Sequence, residues 1–293
     1  MMRSQRPAWL DKKIDFRAMH GTENGLRDLG LHTVCHQARC PNISECFSRG
    51  TATFLILGDV CTRNCSFCGV RHGTPLQPEI DEPARVAEAV RRMKIRHAVI
   101  TSVTRDDLPD GGAGVFAAVI GELRRPGGPA SIEVLVPDFR GDEASIRTVV
   151  DAGPDIFGHN VETVPVLYGA RGRCDYRRSL NVLECAGRHS TAVKTKSSIM
   201  VGLGETEAEV VAVMGDLRSV NCDYLSIGQY LRPGRDNLPV REYITPEQFS
   251  RYKDIALGMG FLHVESGPYV RSSYMADRYC IPLSPRRGMR YNI

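Results

Sequence analysis

From about residue 53 onward the chain alternates between short apolar runs and amphipathic stretches of helical period, and nothing else in the sequence restricts its fold as tightly. Thr53 to Leu57, His97 to Val103, Ile132 to Val136, Asp155 to Gly158, Ser197 to Val201, Tyr224 to Gly228 and Phe261 to Val264 have the length and apolar character of strands. Between them, Glu82-Pro83 opens a helix with proline at the tolerated first position and Val86, Val90 and Met93 on one face. Gly111 to Leu123 predicts a second helix, and a third runs from near Asp142 to before Gly153. Three more are marked by Tyr176, Leu180 and Leu183, by Val210, Met214 and Leu217, and by Phe249, Tyr252, Ile255 and Met259. Six strand–helix units in succession predict an α/β fold, a parallel sheet with its helices outside.

Doubly wound and barrel arrangements both fit that order. No glycine fingerprint follows the first strand, and Gly202-Leu-Gly204 is only a fragment of one, so the expectation is a partial (β/α)6 barrel of the TIM type. Such folds place their sites at the carboxyl ends of the strands. The expected organisation is an amino-terminal extension over 1–52, the barrel over 53–266 and a carboxy-terminal extension over 267–293. Both extensions are expected to cover the barrel mouth.

With 293 residues, 42% hydrophobic and 25% charged, the chain can build a sizeable core and is not of a disordered class. No apolar run reaches the roughly 18 residues of a membrane span, so no membrane association is expected. The net charge of +4 is spread out and suits an acidic protein partner at least as well as nucleic acid; no nucleic-acid partner is expected. MMRSQRPAWL lacks an apolar signal core, and Asp11 and Asp15 arrive too early for a transit peptide, which points to the cytoplasm.

Ten cysteines in such a chain point to metal or catalysis rather than to disulfides. Six of them fall within 34 residues, while Cys174, Cys185, Cys222 and Cys280 are scattered and read as packed or free thiols. Cys61, Cys65 and Cys68 follow the first strand directly as C-x3-C-x2-C. Structural zinc needs four ligands, commonly as two close pairs, and would have to recruit His72. Three thiolates on one loop suit a four-iron cluster better, because each binds one iron and the fourth iron stays open for substrate. Upstream, Cys35, Cys40 and Cys46 form a second triad, which by itself fits zinc, with His32 and His36 near, or an iron–sulfur cluster.

The C-x3-C-x2-C spacing, with Phe67 before the last cysteine, resembles the signature of the radical S-adenosylmethionine superfamily. That resemblance implies a cluster whose open iron chelates S-adenosylmethionine and reduces it to a 5′-deoxyadenosyl radical. Together the two triads resemble the lipoyl synthase family, and the likeness extends over most of the chain. It includes Arg6-Pro-Ala-Trp-Leu10, Thr33 to Cys46, Arg105-Asp-Asp-Leu-Pro-Asp-Gly-Gly112, His159-Asn-Val-Glu-Thr163, Asp175 to Leu180, Thr195 to Thr206, and Gly267 to Tyr274 with its Arg-Ser-Ser-Tyr. Asn237, where a histidine is usual, and the long tail after Ala276 depart from the family pattern; neither is expected to touch the cluster ligands.

The resemblance implies a sulfurtransferase that inserts two sulfurs into an octanoyl chain on a lipoyl domain or glycine-cleavage H protein, with ferredoxin or flavodoxin as reductant. It implies two 4Fe–4S clusters and S-adenosylmethionine as cofactors. Cys61, Cys65 and Cys68 would hold the radical cluster; Cys35, Cys40, Cys46 and Ser273 would hold an auxiliary cluster that donates the sulfur. Arg178 becomes a candidate for the carboxylate of S-adenosylmethionine, Asp106 for its amino group, and Asn160 and Glu162 for its ribose. The rival expectations are a biotin-synthase-like sulfur-inserting enzyme, which lacks the upstream triad, and a non-enzymatic zinc-binding protein.

Overall fold

The apolar runs become strands because both of their faces are covered: every residue of Thr53–Ile56 and of Tyr224–Gln229 is buried. The computed structural model describes residues 7–10, 26–37, 40–48 and 53–280. Arg6 of the opening motif, the side chain of Cys280 and the tail beyond it lie outside the described residues.

The strands are β1 (His32–Thr33), β2 (Thr53–Ile56), β3 (Val60–Cys61), β4 (Arg71–His72), β5 (His97–Ser102), β6 (Ser131–Leu135), β7 (Ile156–Gly158), β8 (Lys194–Val201), β9 (Tyr224–Gln229) and β10 (His263–Gly267). Eight of them form one sheet in the order β1-β2-β5-β6-β7-β8-β9-β10. From β2 to β10 all neighbours are parallel and follow one another in sequence order, apart from β3 and β4, which pair with each other in a separate ladder. Among the described residues the ladder does not close, so the barrel is partial. The short β1 is antiparallel on the outer edge of β2, with Thr33 opposite Phe54.

The helices between strands are α1 (Glu82–Arg92), α2 (Ala113–Leu123), α3 (Glu143–Asp151), α4 (Tyr176–His189), α5 (Glu207–Ser219) and α6 (Pro246–Gly258). Their starts follow local chemistry. Pro83 sits in the first turn of α1, and Thr206 and Glu209 form a reciprocal capping box on α5. Alternate strand residues such as Ile132, Val134 and Phe157 join α1 to α4 in one apolar cluster. Val201, Leu225 and Ile227 join α5 and α6 in another.

The concave face is different. Glu133, between Ile132 and Val134, points to the other side, where Lys196 Nζ bonds both of its oxygens at 2.9 and 3.0 Å. Both side chains are buried, at 1% and 0% exposure, and His97 Nε2 stands 3.4 Å from Glu133. Burial alone would raise the Glu133 carboxyl, but Lys196 outweighs it and holds the group below the usual range. This pair explains why β8 begins three residues before the expected Ser197. Lys194 and Lys196 break the apolar pattern that marks a strand in sequence, yet they lie in its ladder.

Removing one partner of a buried pair leaves a charge without compensation. Lys196→Met should therefore lower stability by about 3–5 kcal/mol in urea unfolding, and Lys196→Met with Glu133→Leu should recover most of that loss. Equal losses in the single and double variants would show that the pair is not coupled.

Candidate active site

The mouth of the barrel is assembled by loops that leave the carboxyl ends of β2, β5, β6 and β7. After β2, Leu57 takes a left-handed φ of 67° and the chain turns into the cysteine loop. Val60–Cys61 pairs with Arg71–His72, closing that loop on itself with Cys61 in the ladder and Cys65 and Cys68 between. Cys61 Sγ accepts from the backbone N–H of Arg63 at 3.4 Å and of Thr104 at 3.3 Å, and Cys68 Sγ accepts from Val70 N–H at 3.4 Å. Amide donors aimed at sulfur favour thiolate and suit iron–sulfur ligation. Burial pushes the Cys68 thiol up to about 11, so a metal must displace its proton. No three Cys, His, Asp or Glu side chains among the described residues converge closely enough to hold a single metal ion. A four-iron cluster does not require this, since each thiolate binds a different iron.

Arg63, inside the cysteine motif, is the centre of the polar network. Its Nε and Nη2 bond both oxygens of Asp106 at 2.7 and 2.8 Å, Nη2 also bonds Asp138 at 2.7 Å, and Nη1 reaches Cys174 Sγ at 3.1 Å. Burial would raise the Asp138 carboxyl, but Arg63 holds it down to about 2. The other Asp138 oxygen faces Arg178 Nη1 at 3.4 Å. Asp175 caps α4 by accepting from the N–H of Arg178, which sets that side chain at the helix start. Past β7, Asn160 Nδ2 donates to Glu162 Oε1 at 3.1 Å. Burial raises the Glu162 carboxyl, with Arg171 and Asn160 opposing. A cavity of about 130 Å³ opens here, lined by Thr101, Leu135, His159, Asn160, Glu162 and Arg171.

The second triad lies beside the first strand of the barrel. Burial, with Cys40 nearby, pushes the Cys35 thiol up to about 12, and Thr53 hydrogen-bonds that thiol. The Cys40 N–H bonds Cys35 O, and Cys46, in the short helix Ile43–Ser48, bonds Asn42 O through its N–H, both at 2.9 Å. Thr53 Oγ1 also donates to Ser273 Oγ at 2.8 Å across 220 residues of chain. Ser273 and Cys35 thus meet at one threonine. The two extensions also touch each other, through Asn42 Nδ2 to Tyr269 O at 2.6 Å, Tyr274 OH to Glu45 Oε1 at 3.1 Å and Tyr269 OH to Leu10 O.

The radical SAM superfamily model matches residues 55–217 of the chain. A lipoyl synthase of Geobacter metallireducens is 57% identical over 275 residues, covering 94% of this chain and 97% of that protein. A lipoyl synthase of Caldanaerobacter subterraneus is 54% identical over 288 residues, covering 98% and 100%. The chain belongs to the lipoyl synthase family. Solved structures add the fold: methylornithine synthase (PylB) gives a TM-score of 0.53 at 15% identity, covering 85% of this chain and 84% of that one. SuiB of Streptococcus suis gives 0.56 at 8% identity, covering 73% and 48%. The cofactors of this lipoyl synthase family member are S-adenosylmethionine and two four-iron clusters.

Two residues set apart from the clusters by sequence turn out to lie against the cysteine loop. Asn237 Nδ2 donates to the carbonyls of Cys68 at 2.8 Å and Ser66 at 3.3 Å. Cys174, read as a packed or free thiol, touches Arg63 and Cys65. Cys185 and Cys222 are buried as packed thiols. Sequence reasoning also passed over Thr53, Arg63, Asp138 and Arg171. Arg63 alone carried a signal, its place within the cysteine motif.

His159 is buried with a fixed tautomer. Nδ1 faces Val136 O at 2.9 Å, which can only accept, so Nδ1 carries the proton. Nε2 then accepts from Ser179 Oγ at 3.0 Å, while that oxygen accepts from Arg171 Nη1 at 3.1 Å. Burial, reinforced by Arg171, lowers the His159 pKa to about 4. Below its unfolded pKa of roughly 6.5, the unfolded chain takes up a proton that the folded chain refuses. Stability should fall by about 3 kcal/mol as pH drops from 6.5 to 4. The slope should be absent in His159→Asn, and a matching slope in that variant would assign the titration elsewhere.

Proposed function

We propose that this chain carries out the lipoyl synthase reaction, inserting two sulfur atoms into an octanoyl chain held on the lysine of a lipoyl domain or glycine-cleavage H protein. Cys61, Cys65 and Cys68 hold the radical cluster, and Cys35, Cys40, Cys46 and Ser273 hold the auxiliary cluster. When bound, these groups supply the radical chemistry and the sulfur. The observation that carries the assignment is the meeting of Ser273 with the Cys35 thiol at Thr53, from opposite ends of the chain. An oxygen ligand among thiolates is the mismatched, replaceable corner that a sulfur donor needs.

The chain's own residues orient the substrate and keep water out. Arg178, 28% exposed and sharing Asp138 with Arg63, is free to exchange that carboxylate for the carboxylate of S-adenosylmethionine. Asp106 receives the amino group while Arg63 holds its orientation. Asn160 and Glu162, at the cavity, take the ribose hydroxyls. Amino-terminal, barrel and carboxy-terminal parts divide at residues 52 and 266. The mild positive charge suits acidic carrier domains, ferredoxin or flavodoxin supplies electrons, and the enzyme works in the cytoplasm. No helix among the described residues is long and apolar enough to cross a membrane.

Replacing Cys61, Cys65 and Cys68 by Ala should abolish cleavage of S-adenosylmethionine. Replacing Cys35, Cys40 and Cys46 by Ala should leave cleavage partly intact while abolishing product. Mass spectrometry of an octanoylated carrier peptide after anaerobic incubation reads both outcomes; wild-type yield from the second triple variant would refute the sulfur-donor assignment. Arg178→Ala should weaken S-adenosylmethionine binding by roughly tenfold to a hundredfold without loss of iron, measured by equilibrium titration.

A further inference from the structure

A second group of buried polar side chains lies at the opposite end of the barrel, near the amino ends of the strands. Lys196 and Glu133 form its centre, and Tyr224 and His263 open β9 and β10 beside it. The residue that covers this group does not come from a strand. Tyr279, on the 3-10 turn Ala276–Cys280, lays its ring over Lys196 with Nζ 3.8 Å from the centroid. Its hydroxyl shares a hydrogen bond with Ser226 Oγ at 2.8 Å. The ring packs on Tyr224 and His263 at centroid separations of 5.2 and 4.6 Å.

The path of the tail is therefore longer than a cover over the mouth. Past β10 the backbone presses so closely on β9 that a Cβ on Gly228 would collide with Val270 O. Beyond the carboxyl end of β7 Ser272 Oγ donates to Asn160 Oδ1 at 3.1 Å, and Ser273 meets Thr53, the residue that opens β2. Six residues beyond Ser273, Tyr279 reaches the base. Residues 271 to 274 are only half-buried, whereas Tyr279 is 3% exposed. The firm hold on this segment is at its far end.

We infer that Tyr279 is a positioning residue that anchors the tail to Lys196 and Ser226 and so fixes where Ser273 is presented. The inference rests on the reading of Ser273 as an iron ligand. A ligand that must leave its iron and return needs a tether. A six-residue span from a fixed anchor keeps the oxygen at an effective concentration of about millimolar or above. The cation over the ring face and the hydroxyl bond supply the anchor, and the buried Glu133 holds the cation in place.

The test uses isotopically enriched holoenzyme, in which an oxygen-ligated iron gives a Mössbauer component distinct from thiolate-ligated iron. Wild type should show that component and Ser273→Ala should lose it. Tyr279→Leu should lose most of it and release auxiliary-cluster iron to a chelator roughly tenfold faster. Meanwhile the shift of the radical cluster's paramagnetic signal on adding S-adenosylmethionine should be unchanged. Tyr279→Phe, which keeps the ring, should retain the component, with release about threefold faster, and Ser226→Ala should behave likewise from the strand side. If Tyr279→Leu does not fold, these two milder variants decide the matter, and wild-type release in both overturns the anchor. A wild-type component in folded Tyr279→Leu overturns it too, while its loss in Ser273→Ala leaves the ligand reading standing. A component that survives Ser273→Ala removes the ligand reading and the anchor together.

Discussion

The mouth of this barrel depends on one guanidinium. Arg63 lies inside the cysteine loop after β2, yet its partners come from the loops after β5 and β6, and Cys174 adds a contact from before α4. Burial works against its charge, but Asp106 and Asp138 outweigh that cost and raise its pKa. A planar donor fork fits this task, because one side chain can bond two carboxylates and a thiol in different directions. Lysine would offer one point charge and could not hold three loops in register. The cysteine loop thus owes its position less to its own short ladder than to the arginine it carries.

The same network sets the electrostatics of the site. Arg63, Arg171 and Arg178 stand among Asp106, Asp138 and Glu162, so the mouth is close to balanced before anything binds. Arg63 is committed to two carboxylates, and Arg171 to the carbonyl of Asn160 and to Ser179. Arg178 is the exposed member, with a single longer contact. A zwitterionic ligand entering this mouth meets one arginine able to change partners and two that hold the frame. His159, kept neutral beside Arg171, adds no charge that would upset the balance.

The fold was legible in the sequence because strands buried on both faces write themselves as apolar runs. The order of strand and helix therefore came through, and the shifts at the ends have physical causes. β8 starts at Lys194 because its two lysines lie in the ladder, and β10 extends to Gly267 through Glu265, again a polar residue on the concave face. β1 was not legible, since two residues carry no period. Within the site, the cysteines were visible because their spacing is chemical. Asn237, Cys174 and Thr53 were not, because their roles depend on which loops meet. A hydroxyl in an apolar run says nothing of a serine 220 residues away.

The concave face of the barrel is polar at both ends for different reasons. At the mouth, charge is arranged around space into which a ligand can come. At the base, charge is arranged around a side chain of the protein itself. Lys196 has no solvent to turn to, at 0% exposure, and its ammonium is satisfied by Glu133 below the ring of Tyr279. A purely apolar base would have packed as well and cost less in desolvation. What an ion pair adds is a defined partner: a cation accepts the face of an aromatic ring in one orientation, where an apolar floor would accept many. Because the ladder does not close between β10 and β1 among the described residues, no strand pairing there fixes the segment that runs between the ends of the barrel. Side-chain contacts at Asn160, Thr53 and Lys196 take the place of that ladder.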